Sequence, residues 1–339
     1  MGEVREDPIG FTVVIPPARP PDGDRSGLRA ITRVFPDLEE DLLLNLFHKG
    51  AKVQWTSEDL DWSPPLLLTG RQRQALARLL TPVYFGEQTA MVGASTILPQ
   101  LMAAGETTAQ LYLTSFMMDE ARHFEALTRL FRKLEHDPVG LREIPELLRY
   151  HHRIRRGDRA DWVWGILFSD VIAKHFYRSF GSAQADPLFG AMSQKILLDE
   201  SRHLAFADHY LRRNVARMDA ARRRLLLDMR DDLFRLLASM TERVRGDAAE
   251  FEVDADDYLA RVWADVETFG RRIGLPDRGG DGPPPGTGPG EPTDAPAADQ
   301  PDGAPQASSS RSRTVVQISR PRCFGCLLTL LSSRRLAPA

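Results

Sequence analysis

Asp119-Glu120-Ala121-Arg122-His123 and Asp199-Glu200-Ser201-Arg202-His203 repeat one five-residue pattern in two places. Each holds a Glu with a His three residues later, a spacing that puts both side chains on one helix face, one turn apart. Both copies fall inside apolar stripes. Leu113, Phe116, Phe124, Leu127 and Phe131 recur around Glu120, and Phe189, Met192, Ile196, Ala207 and Tyr210 recur around Glu200 and His203. The acids are therefore directed at a core, where an ionised carboxylate is costly unless it is paired or bound to metal. The repeat predicts a helical protein with a buried metal site.

Two more acids lie on inward stripes of the helices that precede each copy. The helix expected from Arg71 to Met102 carries Glu87 among Leu76, Leu80, Val83, Met91, Ala94 and Leu98. The helix expected from Asp161 to Phe180 carries Asp170 on a face with Val163, Ile166, Leu167, Ala173 and Tyr177. The order is carboxylate, Glu-x-x-His, carboxylate, Glu-x-x-His on four long helices, the pattern of ferritin-like dimetal bundles. The candidate ligands are Glu87, Glu120, His123, Asp170, Glu200 and His203. Glu is the usual residue at the Asp170 position, and Trp164 or Ser169 would take it if the helix were gapped. Oxygen ligands with one imidazole per ion favour iron or manganese over zinc or copper(I). A metal-bound His usually gives its other N–H to a carboxylate, so Asp199 is expected to serve His123 and Asp119 to serve His203. Arg122 and Arg202 are expected to neutralise the remaining charge.

Outside the four long helices the chain reads as follows. Residues 1–30 are rich in Pro, Gly and Arg and are expected to form a mobile arm. A short helix should run from Leu38 to His48 and stop at Gly50, with a loop at Trp55–Pro65 whose aromatics cover one end of the bundle. Helices are expected at Thr107–His136 and Pro187–Met218, which carry the two motifs, and at Ala220–Arg245 and Asp254–Ile273. The helix at Ile144–Arg156 reads as polar and peripheral. His151, His152 and His175 read as surface or supporting residues. Residues 31–275 thus form an all-α, ferritin-like four-helix bundle with flanking helices. From 276 to 339 the Pro/Gly-rich composition predicts a disordered tail with a short apolar end holding Cys323 and Cys326.

The net charge of -3 over 339 residues provides no basic footprint for nucleic acid. No apolar run is long enough to span a membrane, the N-terminus does not read as a signal peptide, and two Cys cannot staple a fold of this size. The expected setting is the cytoplasm.

Three stretches resemble the small subunit of class I ribonucleotide reductase and its ligand-binding oxidase relatives. They are Tyr84-Phe85-Gly86-Glu87, the helix from Tyr112 to His123, and Asp199-Glu200-Ser201-Arg202-His203. The Trp162-Val163-Trp164-Gly165 helix and its distance to Pro187 are similar to the arylamine N-oxygenases. The resemblance covers residues 40 to 250 and implies two Fe ions, or a Mn/Fe pair, with O2 as co-substrate. It further implies a homodimer and a small organic substrate that is hydroxylated, desaturated or N-oxygenated. Electrons would come from an external ferredoxin or reductase, since the sequence carries no flavin or nicotinamide fingerprint. Phe116, Phe124, Leu127 and Ile166 each read first as core packing, with the wall of an apolar pocket as their functional alternative. Three positions depart from these relatives. Leu127 stands where the radical-forming subunit has a Tyr, Ile196 where the N-oxygenases have an extra His, and Gly165 where the crosslinked oxidases place a Tyr nearby. A reductase-type radical subunit and a non-catalytic metal-binding bundle are the alternatives. Leu127 counts against the first, and the additional helices and tail count against the second.

Overall fold

The computed structural model describes residues 3–6, 12–15, 41–181 and 186–276. Two short strands, β1 (Glu3–Glu6) and β2 (Thr12–Ile15), pair antiparallel with Glu3 opposite Ile15. The expected arm therefore contains regular structure; Thr12-Val13-Val14-Ile15 is β-branched throughout, a composition that favours extended backbone. The chain divides into two units, Met1–Glu291 and Pro292–Ala339. Residues 277–339, with nearly all of the expected tail and the Cys323/Cys326 pair, lie outside the described residues.

The remaining regular structure, among the described residues, is helical. In chain order it comprises α1 (Asp41–Lys52), α2 (Gly70–Ala104), α3 (Thr107–Leu134), α4 (Pro145–Arg155) and α5 (Arg159–Phe180). These are followed by α6 (Pro187–Val215), α7 (Ala220–Arg243), α8 (Arg245–Ala249) and α9 (Ala255–Arg272). Three of the four long helices start where a side chain satisfies free backbone N–H groups, α3 being the exception. Thr69 and Gln72 form a capping box on α2, Asp158 and Asp161 do so on α5, and Asp186 accepts from the N–H groups of Leu188 and Phe189 on α6. Gly105, at φ 73°, closes α2 in the left-handed region, and only Glu106 separates it from α3. So short a link makes α2 and α3 adjacent in space.

The four long helices form two hairpins, α2 with α3 and α5 with α6, and further contacts of α2 with α5 and α3 with α6 join them into one bundle. One continuous apolar core runs through it, from Leu76 and Leu80 through Leu113, Phe116 and Leu127 to Leu167, Phe189 and Leu211. Gly93 is where α2 admits the ring of Trp162 on α5: a Cβ there would stand 1.9 Å from Trp162 Nε1.

The flanking helices depart from expectation in two places. Gly50 does not stop α1, which runs on to Lys52. It faces α3 instead, where a Cβ would come within 3.1 Å of Ser115 Oγ. Helix α4, expected to be peripheral, buries Leu147, Tyr150 and Ile154 against α5, α7 and α2. Its many charges hid a narrow apolar stripe.

Candidate metal centre

All six sequence-predicted site residues converge inside the bundle. Glu87 comes from α2, Glu120 and His123 from α3, Asp170 from α5, and Glu200 and His203 from α6; none is more than 6% exposed. Their ligand atoms form two groups that share Glu200, one of Glu87, His123 and Glu200 and one of Asp170, Glu200 and His203. Within each group the atoms lie within 4.8 Å of one another. Glu120 completes the cluster, with Oε1 3.3 Å from His203 Nδ1.

Both imidazoles face the acids with the same nitrogen. His123 Nδ1 is 3.3 Å from Glu87 Oε2 and 3.9 Å from Glu200 Oε1, and His203 Nδ1 is 3.3 Å from Glu200 Oε2. The outer nitrogens cross the bundle. His123 Nε2 lies 3.1 Å from Asp199 Oδ2, and His203 Nε2 lies 3.2 Å from Asp119 Oδ2. Each His of one motif is thus held by the Asp of the other, as the sequence predicts. An Nε2–H donated to a carboxylate leaves the Nδ1 lone pair free to bind an ion. The two arginines bridge the same aspartates. Arg122 donates to Asp119 and, at 3.2 Å, to Asp199; Arg202 donates to Asp199 and, at 3.0 Å, to Asp119.

One partner was not legible in the sequence. Trp55, from the loop after α1, donates Nε1–H to Asp199 Oδ2 at 2.8 Å and stacks over His123 with ring centroids 6.1 Å apart. The loop has no periodicity to fix its direction, and the only signal was a large aromatic expected to cover the bundle end. Tyr112 and Tyr177 are also buried here with unpartnered hydroxyls. Burial first, then Glu87, Glu200 and Glu120, push the Tyr177 hydroxyl well above its ordinary value.

The charge balance calls for cations. Burial, then Glu87, Glu200 and Asp170, raise Glu120 well above the usual carboxylate range, and burial followed by Glu200 does the same to Asp170. Burial opposes a charge on His123, but Glu87, Asp199 and Glu200 outweigh it and raise the ring to about 10. Glu87 lies below its usual value because His123 outweighs burial. Asp170 Oδ2 is buried without a partner, and His203 Nδ1 and Glu200 Oε2, though 3.3 Å apart, do not meet in hydrogen-bond geometry. Such orphans are rare unless something else satisfies them. Two divalent ions would satisfy these atoms and allow all the acids to ionise. The oxygen-rich donor set with one imidazole per group suits iron or manganese.

The alternatives to Asp170 are otherwise engaged. Trp164 is fully buried and donates to the Leu226 carbonyl at 3.0 Å, while Ser169 bonds Tyr150 and the Gly165 carbonyl. A cavity of about 90 Å³ opens directly onto Glu87, Glu120, Asp170 and Glu200. Of the four candidate wall residues Ile166 lines it, and the others follow the core-packing reading. Phe116 and Leu127 are packed in solid core, and Phe124 stacks on Tyr84 at 4.6 Å. Periodicity finds the inward face of a helix but does not tell core from cavity. The real walls come from α2, α4, α5 and α7, and they include His151. His175 instead pairs with Asp265 on α9, and His152 is exposed.

The sequence model described as p-aminobenzoate N-oxygenase AurF matches residues 91–268, more than half of the chain. The chain belongs to the AurF family. As an AurF-family protein it is an oxidoreductase of the dimetal, O2-activating oxidase/oxygenase class. The matched span holds every candidate ligand except Glu87, which lies four residues before it. Ile196, where the N-oxygenases have an extra His, is fully buried core in this AurF-family chain. The fold is also that of R2-like ligand-binding oxidases. The chain is similar to a variant with an aerobically reconstituted Mn/Fe cofactor at 19% identity and TM-score 0.60, covering 70% of this chain and 98% of that one. A second structure of such an oxidase, also with an aerobically reconstituted Mn/Fe cofactor, gives 18% identity and TM-score 0.59 over 76% of this chain and 99% of that one. No helix among the described residues is long and apolar enough to cross a membrane.

Proposed function

We propose that Glu87, Glu120, His123, Asp170, Glu200 and His203 hold two metal ions, with Glu200 shared, and that the protein oxygenates a small organic substrate bound in the adjoining cavity. The observation that carries this reading is the pair of histidines whose Nδ1 atoms face buried acids while their Nε2 atoms are fixed by aspartates of the opposite motif. Two iron ions, or a manganese and an iron as in the R2-like oxidases, would supply reduction of O2. The protein's own contribution is positional and electrostatic. Asp119 and Asp199 fix the imidazole rings and their tautomers, and Arg122 and Arg202 offset the aspartate charge inside the bundle. The cavity's aliphatic walls exclude water and hold the substrate against the acids.

N-oxygenation of a small amine is the favoured reaction, because family membership points to it. Hydroxylation or desaturation is the second reading, favoured by Ile196 standing in place of the additional His. The electrons would come from a separate ferredoxin or reductase, and by likeness to its relatives the protein would act as a homodimer in the cytoplasm. The test is O2 uptake by Fe(II)-loaded protein given a chemical reductant and a panel of small arylamines, with products read by mass spectrometry. Substrate-dependent uptake with oxygen added to nitrogen supports the reading. Uptake that no substrate changes, without product, would sink it.

A further inference from the structure

The cavity beside the acid cluster has one polar feature that the metal site does not explain. Among the described residues lining it, the buried polar atoms without a partner belong to Asp170, Glu200 and His151. The first two are proposed ligands. His151 reaches the cavity from α4 with both ring nitrogens buried and unpartnered. Tyr150 and Ser169, which also line the cavity, are bonded to each other at 3.0 Å. An unpaired buried imidazole costs free energy unless a bound molecule completes it.

The rest of the lining narrows the chemistry of that molecule. The walls are chiefly aliphatic, with Ile154, Ile166, Ile172, Leu237 and Met240 prominent, and no Lys or Arg lines them. A second apolar cavity of about 70 Å³ adjoins, sharing Val83, Ile172, Leu237 and Met240. An apolar cavity of about 150 Å³ accepts benzene, so a molecule of one-ring size needs both spaces, with the side chains of their shared wall giving way. Burial, and then Arg155, hold His151 down at about 4, so the ring is neutral at pH 7 and offers a hydrogen bond without a counter-charge. No Lys or Arg lines the cavity, so a substrate carboxylate turned toward His151 and away from the proposed ions would be buried with no cationic wall residue to meet it, which is costly.

We propose that His151 is a specificity-determining residue, hydrogen-bonding an uncharged carbonyl or hydroxyl oxygen of an otherwise apolar, ring-sized substrate and disfavouring carboxylates such as p-aminobenzoate. This deepens the proposed function and rests on it for the cavity's role. The test is isothermal titration of the full-length, metal-loaded protein with p-aminobenzamide and p-aminobenzoate, which share a ring and amine and differ in charge. The amide should bind at least tenfold more tightly. His151→Phe should weaken amide binding five- to tenfold while leaving aniline, which lacks the oxygen, within twofold; His151→Gln should recover part of the loss. Circular dichroism and metal content unchanged in both variants separate this effect from misfolding or loss of ions. Benzoate binding as tightly as the amide, an unchanged His151→Phe affinity, or no binding of either probe to the wild type overturns the proposal. A wild type that retains no metal but keeps the amide preference would instead overturn the proposed function and spare the role of His151.

Discussion

Asp119 and Asp199 sit at the crossing point of the two motifs, and each serves a His and both arginines. The equal register of the repeated motif made this exchange legible, since a near-twofold pairing of helices brings the Asp of each to the His of the other. Asp199 differs in also accepting from Trp55, so it carries more donors than Asp119. Removing its charge while keeping its shape tests what it does for the metal. Asp199→Asn should lower metal affinity about 10- to 100-fold, as loss of a partner behind a ligating His generally does. Chelator competition would measure this, and an unchanged affinity would show that His123 is oriented by packing alone. Trp55 and His151 escaped the sequence reading for a shared reason. One lies on an aperiodic loop and the other beside a narrow stripe on a charged helix, so neither had a periodic pattern to fix its direction.

At the scale of elements, boundaries marked by caps were readable and those set by packing were not. Asp186-Pro187 announced α6, and the structure adds that Asp186 also ties α6 to the segment before α2, accepting from Leu67 N at 2.8 Å. Asp186→Ala would leave three backbone donors without this acceptor and should destabilise the protein by roughly 2–3 kcal/mol in urea unfolding; a loss under about 0.5 kcal/mol would contradict that account. Gly50, by contrast, looked like a stop because its reason for being Gly, the close approach to Ser115, is tertiary. Helix α4 is anchored by a charge pair at its start. Glu146 accepts from Arg243 on α7 at 2.7 Å, and although burial would raise its carboxyl, Arg243 and Ser239 hold it below the ordinary value of 4.5. A carboxylate depressed in the folded state adds stability that is present above its unfolded value and is lost as the pH falls through the folded one. Glu146→Gln should therefore lose melting temperature less steeply than wild type between roughly pH 5 and pH 3. Parallel acid profiles would show that the pair contributes nothing.

For the whole molecule, the fold followed from four amphipathic helices whose stripes each carried inward acids, a conflict that a metal-binding bundle resolves. Four inward acids in one core are costly without cations, and this is why the architecture and the six converging residues were legible while the substrate cavity was not. The cavity is built by α4 and α7 closing over the bundle, an arrangement that depends on packing between elements distant in sequence.

The proposed chemistry depends on these six residues binding two ions. The most direct measurement is elemental analysis of protein purified from cells supplied with iron and manganese, beside the Glu120→Ala/Glu200→Ala variant. About two ions per wild-type chain are expected, on the stoichiometry of a ferritin-like dimetal bundle, and their loss from a variant that keeps its helical fold. Wild-type protein that is folded and free of tightly bound metal would contradict it, and would leave the repeated motif as a polar core.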